Sequence, residues 1–295
     1  MEKNWAGTTY GSVWLLKSLI WLLKYTNVRL PYIFSAVFVI PICLLVNPSC
    51  GIIYRYFRLH HHYGRLKAAY KTYINHCNFG QVIIDKFAMY AGQKFHIEVQ
   101  GYEHFQSLAN RDEGFVLLSS HVGNYEIAGY TLKSTKKAFN ALVFYGEKAI
   151  VMENRTKLFS ETNIRMIAIR PDMGHLFEID EALQNGDIVS MPADRIFGSQ
   201  KKLQRQFLGS MAEFPVGPFS VATMRSLDVL AVHVVKESYK KYKIFVTPLT
   251  YDKTAPRKEQ IEELSSNYVS ELERIVKSYP TQWYNYFEFW DTAKD

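Results

Sequence analysis

The sequence predicts an α/β protein: a mostly parallel central sheet flanked by helices, preceded by N-terminal membrane-associated helices. Three observations carry this. After Gly92, short apolar runs bounded by turn residues alternate with amphipathic helical runs, the pattern of strand–helix–strand units. Before Gly92 the chain is helical, apolar and basic. The 295 residues, 48% of them hydrophobic, suffice to bury a full core.

Residues 13–25 form the first predicted helix. Lys17 and Lys24 stand one heptad apart and share a face, as do Trp14 and Trp21. Such a helix lies in a membrane interface with Trp at headgroup level. No charge then occurs for 25 residues between Arg29 and Arg55. Its core, Leu30 to Val46, would make about 25 Å of helix, a little short of a ~30 Å hydrocarbon layer. Pro31 suits a helix start and Pro41 predicts a kink. Basic residues flank both ends, so a single span, a re-entrant dip and an interfacial hairpin all fit. A cleavable signal peptide does not, because the run starts late and no small-residue cleavage site follows. Residues 55–92 continue as basic amphipathic helix. His60, His61 and His62 are consecutive, so on a helix they diverge and read as a wet or interfacial face rather than a metal site. The expected organisation is an anchor over 1–54 and a folded domain over 55–295, with 55–92 as lead-in and 93–295 as α/β core.

Charge supports that division. The chain carries a net +7, yet residues 1–80 alone carry +8 and the remainder −1. Basic and apolar character coincide in one segment, which points to an anionic membrane surface and not to nucleic acid. Cys43, Cys50 and Cys77 form no metal or redox spacing and read as free thiols in a reducing compartment.

In the core, strands are predicted at Lys94–Gln100, Phe115–Ser120, Ala138–Tyr145, Arg165–Ile169, Asp187–Pro192, Arg205–Leu208, Leu227–Val235 and Lys243–Thr247. Helices are predicted at Tyr125–Lys133, Lys148–Phe159, Gly174–Gln184, Pro218–Arg225 and Arg257–Tyr279. In such sheets ligands bind beyond the carboxyl ends of the strands. His121 follows the apolar strand Phe115–Ser120, and Glu126 follows it by five residues. That spacing places a His on the loop at a strand end and an acid in the first turn of the next helix. There the acid can hold one ring nitrogen and leave the other as a base. Gly123 permits close backbone approach, and N–H groups around it can face an oxyanion.

Competing chemistries lack their motifs. There is no Gly-x-Ser-x-Gly around Ser119 or Ser120, no His-Glu-x-x-His, no second Cys/His cluster and no phosphate-binding glycine loop. A His base without a protein nucleophile points to a substrate hydroxyl or amine as the nucleophile. Asp194 and Arg195 end another strand. Lys201 and Lys202 lie in a basic loop, and Arg170 flanks an apolar strand. With Asn124 these are the substrate-binding candidates.

Five blocks, in order, resemble the late acyltransferases of lipid A biosynthesis, within the glycerolipid acyltransferase superfamily. Ser119-Ser120-His121-Val122-Gly123-Asn124-Tyr125-Glu126 is similar to that family's His-x4-acid block. Met191–Gly198 resembles its strand ending in Asp before the substrate loop. Phe207–Pro218, with Pro215 and Gly217, is similar to its Phe-Phe-Gly-x-x-Ala-x-x-Pro-x-Gly run, here with Leu208 for the second Phe. Residues 73–92 resemble the preceding helix, and Tyr279–Tyr284 its Pro-x-Gln-Trp ending. Where the family often has basic residues after this Trp, Glu288, Phe289, Trp290 and Asp291 follow.

The resemblance implies a glycerolipid acyltransferase-like fold and an O-acyltransferase of the bacterial inner membrane, its catalytic domain on the cytoplasmic side. An acyl chain would pass from acyl carrier protein or coenzyme A, as co-substrate with no other cofactor and no metal, to a lipid hydroxyl. In this reading His121 is the base, Glu126 fixes its tautomer, Gly123 serves the oxyanion or the backbone, and Pro215 and Gly217 shape a turn. The acceptor is of lipid A type or a related glycolipid. A lysophospholipid, an amino-acid lipid and a pigment-like head group are the alternatives, and a non-catalytic lipid-binding protein is the alternative of another class.

Overall fold

The computed structural model describes residues 13–144, 163–170, 172–196 and 201–290. The helix expected at Lys148–Phe159 lies outside the described residues.

The N-terminal helices follow their apolar spacing. In α1 (Val13–Tyr25) the heptad that exposes Trp14 and Trp21 buries Leu16 and Leu23. The next helix, α2 (Arg29–Val46), is long and apolar enough to cross a membrane by length and composition, and only 6% of it is buried. The kink expected at Pro41 takes a specific form: the helix widens into a π turn over Ser35–Val39, just ahead of the ring, and then runs on. A π turn accommodates the missing N–H without ending the helix.

A single helix over 55–92 does not form. Helix α3 (Ser49–Arg55) ends in a π turn, Tyr56–His60, and α4 begins at Arg65 and runs to Tyr90. Local bonds make the break. His62 sits at φ 54°, Tyr63 N–H donates to the Phe57 carbonyl at 3.1 Å, and the His61 ring bonds the Tyr56 hydroxyl at 2.7 Å. Gly64, with an extended ψ, starts the new helix.

The sheet has seven strands in the order β1-β9-β8-β2-β5-β3-β4. They are β1 (His96–Gln100), β2 (Phe115–Gly123), β3 (Phe139–Phe144), β4 (Ile164–Ile169), β5 (Ile188–Pro192), β8 (Asp228–Ser238) and β9 (Lys241–Leu249). β8, β2, β5, β3 and β4 are mutually parallel, while β9 pairs antiparallel with β8 and carries β1 beside it. The expected class, a mostly parallel sheet flanked by helices, is what forms. Central β2 is buried along almost its whole length, as its unbroken apolar run requires. The strand expected over Arg205–Leu208 is one arm of a separate antiparallel ribbon, β6 (Lys202–Phe207) with β7 (Ser210–Pro215). Leu208 and Gly209 turn that ribbon at φ 51° and 82°. The helices α5 (Tyr102–Ala109), α6 (Glu126–Thr131), α7 (His175–Gln184), α8 (Gly217–Met224) and α9 (Arg257–Ser278) complete the described chain.

Helix α4 joins the apolar helices to the sheet. Asp85, fully buried on it, receives the Tyr32 hydroxyl from α2, the Lys236 ammonium from β8 and the Tyr242 hydroxyl from β9. Lys236 also donates to Tyr32 at 3.0 Å. Gln93, just past α4, donates to the carbonyls of Leu23 and Thr26. At the β8–β9 turn, Tyr239 bonds Asn27 and takes Arg29 over its ring at 4.2 Å. The start of α2 is thus bound to the carboxyl end of β8.

Removing one member of a buried, paired charge leaves the other uncompensated. Asp85→Ala is expected to cost about 3–5 kcal/mol. Denaturant unfolding in detergent checks this, and the apolar double variant Asp85→Leu with Lys236→Met should recover most of the loss.

Candidate active site

β2 runs three residues further than its apolar stretch predicts. His121, Val122 and Gly123 continue the strand, and the register with β8 shifts between Ser119 and Gly123. His121 is therefore held inside a distorted strand end instead of on a loop. The C-terminal segment clamps this end from the other side. Gly123 N–H donates to the Gln282 carbonyl at 2.8 Å, Tyr284 N–H to the His121 carbonyl at 3.1 Å, and Val122 bridges Trp283. Gln282 pairs in turn with the backbone of Lys236 through both ends of its amide, at 2.8 and 2.7 Å.

β5 lies directly beside β2 and ends at Pro192, which delivers Asp194 to His121. The Asp194 side chain is fully buried, while that of His121 keeps 18% exposure. One Asp194 oxygen lies 2.7 Å from His121 Nδ1, and the other accepts the His121 backbone N–H at 2.8 Å and the Trp283 indole N–H at 3.1 Å. Burial pushes the Asp194 carboxyl up. The opposing charge and hydrogen bonds of His121, with Arg195 beside it, outweigh this and bring it down to about 2. An ionised Asp194 must receive a proton from Nδ1, so the imidazole is fixed with Nε2 as its basic nitrogen. Burial lowers the imidazole pKa and the Arg195 charge lowers it further, against the pull of Asp194. His121 is thus neutral and basic at neutral pH.

Glu126 does not hold the imidazole, contrary to the expectation from the His-x4-Glu spacing; Asp194 does. It opens α6 and turns to α4, where its carboxylate pairs with Lys86 at 2.7 Å and accepts the Tyr90 hydroxyl at 3.3 Å. Because β2 extends to Gly123, the acid stands on a helix facing away from the strand end that carries His121. The ring nearest His121 in that stretch is Tyr125, edge-on at 5.4 Å.

Gly123 is a backbone requirement. It adopts φ 58°, and a Cβ there would sit 1.9 Å from the Val234 carbonyl oxygen. The expected oxyanion donors are engaged inside the protein: the N–H groups of His121, Val122, Gly123 and Asn124 go to Asp194, Ser120, Gln282 and Val234. The Asn124 side chain is buried, and among the described residues its Nδ2 has no well-formed hydrogen bond. Arg195 donates to the Tyr284 carbonyl and lies 5.6 Å from the Phe287 ring centre, so it belongs to the His121–Asp194 group.

The other candidates lie apart. Arg170 pairs with Glu178, and Lys202 with Glu213 at 2.6 Å along the ribbon. Lys201 is exposed beside it, its carbonyl taking the Val216 N–H. Pro215 ends β7, buried, and Gly217 opens α8, exposed with nothing near its missing Cβ. Leu208 joins the core, and Phe289 and Trp290 pack around Phe207 and Trp283. Glu288 pairs with Arg55. The three histidines separate, His60 stacking on Trp290 at 3.5 Å. Among the described residues no three His, Cys, Asp or Glu side chains gather at metal-binding range.

Sequence reasoning missed a second pair. Ser120 Oγ lies 2.8 Å from His233 Nδ1, but both side chains are sealed in the core. That pair braces β2 against β8 and cannot meet a substrate. It also missed Gln282 and Trp283 as supports. Their only signal was the Pro-x-Gln-Trp ending itself.

The sequence model described as bacterial lipid A biosynthesis acyltransferase matches residues 77–290. No curated protein matches the chain. Among solved structures, the 1-acyl-sn-glycerophosphate (LPA) acyltransferase PlsC from Thermotoga maritima is similar at 17% identity and TM-score 0.40. That match covers 92% of this chain and 100% of that one. A likeness of this depth bears on neither substrate nor chemistry.

The His121 ring should titrate below the ordinary 6.5 of a histidine, and Arg195→Gln should raise its pKa by removing a nearby positive charge. NMR titration of the imidazole resonances, assigned by difference with His121→Gln, measures both.

Proposed function

Because the chain belongs to the bacterial lipid A biosynthesis acyltransferase family, we propose that it transfers a fatty acyl chain from a thioester donor to the hydroxyl of a membrane lipid. His121 is the general base and Asp194 its orienting partner. The observation that carries this is the His121–Asp194 pair at the carboxyl end of the central strands, with Nδ1 tied and Nε2 left basic. Nε2 takes the proton of the acceptor hydroxyl as its oxygen attacks the thioester carbonyl carbon. The tetrahedral adduct then collapses, the C–S bond breaks, and the imidazolium returns the proton to the departing thiolate. Asp194 stabilises the imidazolium without taking its proton. The donor is acyl carrier protein or coenzyme A, and the acceptor is of lipid A type or a related glycolipid. Phe289 and Trp290 fill the core after Trp283, where the family often has basic residues, so acceptor phosphates must be met elsewhere.

Glu126 is a positioning residue in this reading. Its pair with Lys86 fixes α4, and with it the apolar helices, against the β2–α6 junction. We further infer that α2 anchors the chain in the inner membrane with the catalytic domain on the cytoplasmic face, where acyl thioesters are made.

Purified His121→Ala is expected to lose nearly all transfer while staying folded, since general-base catalysis contributes about 10²–10⁴-fold. Asp194→Asn should lower kcat by a comparable factor, because the wrong tautomer is favoured. Glu126→Gln should retain far more activity than Asp194→Asn. The assay uses acyl carrier protein loaded with defined chains and a panel of lipid acceptors. Full activity in His121→Ala would sink the reading. In the wild type the acid limb of the kcat/KM profile should fall below pH 6.5, where a lowered His121 pKa places the loss of its basic form.

A further inference from the structure

Helix α7 opens with a small apolar projection that the site does not use. Phe177 is 81% exposed, Met173 60% and Leu176 39%. The projection is held firmly. Asp172 caps the Gly174 N–H at 2.9 Å, the Arg170 N–H reaches the His175 ring at 3.3 Å, and the Arg170 side chain pairs with Glu178. Met173 adopts φ 59°, a left-handed conformation that an L-residue enters at a cost. A fixed turn that strains its backbone and aims three large apolar side chains at water needs an apolar partner.

Its place in the fold identifies the partner. Residues 172–177 follow directly from the carboxyl end of β4, at one edge of the sheet. β4 is parallel to β3, β5, β2 and β8 through successive pairings, so their carboxyl ends lie together. At that same end, on the other side of β2, α2 starts against the β8–β9 turn through Asn27, Arg29 and Tyr32. His121 stands between them on β2. We propose that Met173, Leu176 and Phe177 are a second membrane contact, dipping into the bilayer on one flank of the site while α2 holds the other. The sheet then stands with its carboxyl end on the lipid surface, and His121 faces the acceptor in its layer. Short apolar projections beside a charged rim are what an interface accepts.

This rests on the reading of α2 as a membrane segment, and the test separates the two. Cys43 and Cys50 are replaced by Ser and Cys77 by Ala in the full chain. One new cysteine is then introduced at a time, Phe177→Cys, Val37→Cys or Glu113→Cys, and labelled with nitrobenzoxadiazole. The proteins are reconstituted in phosphatidylethanolamine–phosphatidylglycerol vesicles with or without brominated acyl chains. At position 177 a blue shift is expected, with loss of emission in brominated lipid comparable to that at exposed Val37 on α2. Glu113, at the amino end of β2, should show neither. Quenching at 37 but not at 177 would overturn the second contact and leave the anchor standing. Quenching at neither would overturn both. A blue shift at 177 without bromine quenching, growing with protein concentration in detergent, would mean that a second copy covers the patch and the proposal fails.

Discussion

Asp194 has no exposed surface and accepts three hydrogen bonds: from the His121 backbone, the His121 ring and the Trp283 indole. A buried carboxylate without partners would keep its charge only at great cost and would take up a proton instead. With these three and the Arg195 guanidinium nearby it stays ionised far below neutral pH. The donors come from two distant parts of the chain, β2 and the terminal segment, so the constraint reaches well beyond the pair. β2 must extend past Ser120 to present both His121 groups. β5 must end beside it, and the terminal segment must return across the strand end to bring in Trp283. Gly123, which no side chain can replace without striking Val234, is where the backbone bends to allow this.

The order of strands and helices was legible because burial imposes it. β2, β5 and β8 are continuous apolar runs, and each registers in the sequence as a strand. The ribbon partner Ser210–Pro215 escaped because its Ser, Ala, Glu and Pro carry little strand preference. Its pairing with Lys202–Phe207 and its packing on the aromatic cluster decide it. The break at 61–64 escaped for the opposite reason. Residues 55–92 carry a helical pattern throughout, and contacts of His61 and Arg58 with their neighbours interrupt it.

The site was half legible. His121 stands out by its position after a buried strand. Its partner does not, because spacing measures distance along the chain, while the pairing is made across two adjacent strands. A carboxylate five residues away competes poorly with one 73 residues away when the strand carrying the His runs beside the strand that ends before Asp194. Asp194 and Arg195 were visible as polar residues at a strand end, and only the register between β2 and β5 turns that position into contact. The loop basics Lys202 and Arg170 looked like anion ligands by composition, but acids on neighbouring segments neutralise them.

Glu126 gains a different importance from this. The Glu126 and Lys86 side chains are about as hidden as that of His121, with 12% and 13% exposed against 18%. Ion pairs this enclosed hold elements in register, because separating them strands two charges in a poor solvent. Lys86 stands one residue from Asp85, whose own partners are Tyr32 on the apolar helix and Lys236 and Tyr242 on the sheet. A single turn of α4 therefore grips the β2–α6 junction with one charge and the apolar helix with the next. The position of the His121 ring relative to α2 follows from those two adjacent residues. On the proposed reading, in which His121 meets an acceptor hydroxyl at a fixed depth in a lipid layer, paired charges rather than apolar packing alone set that distance.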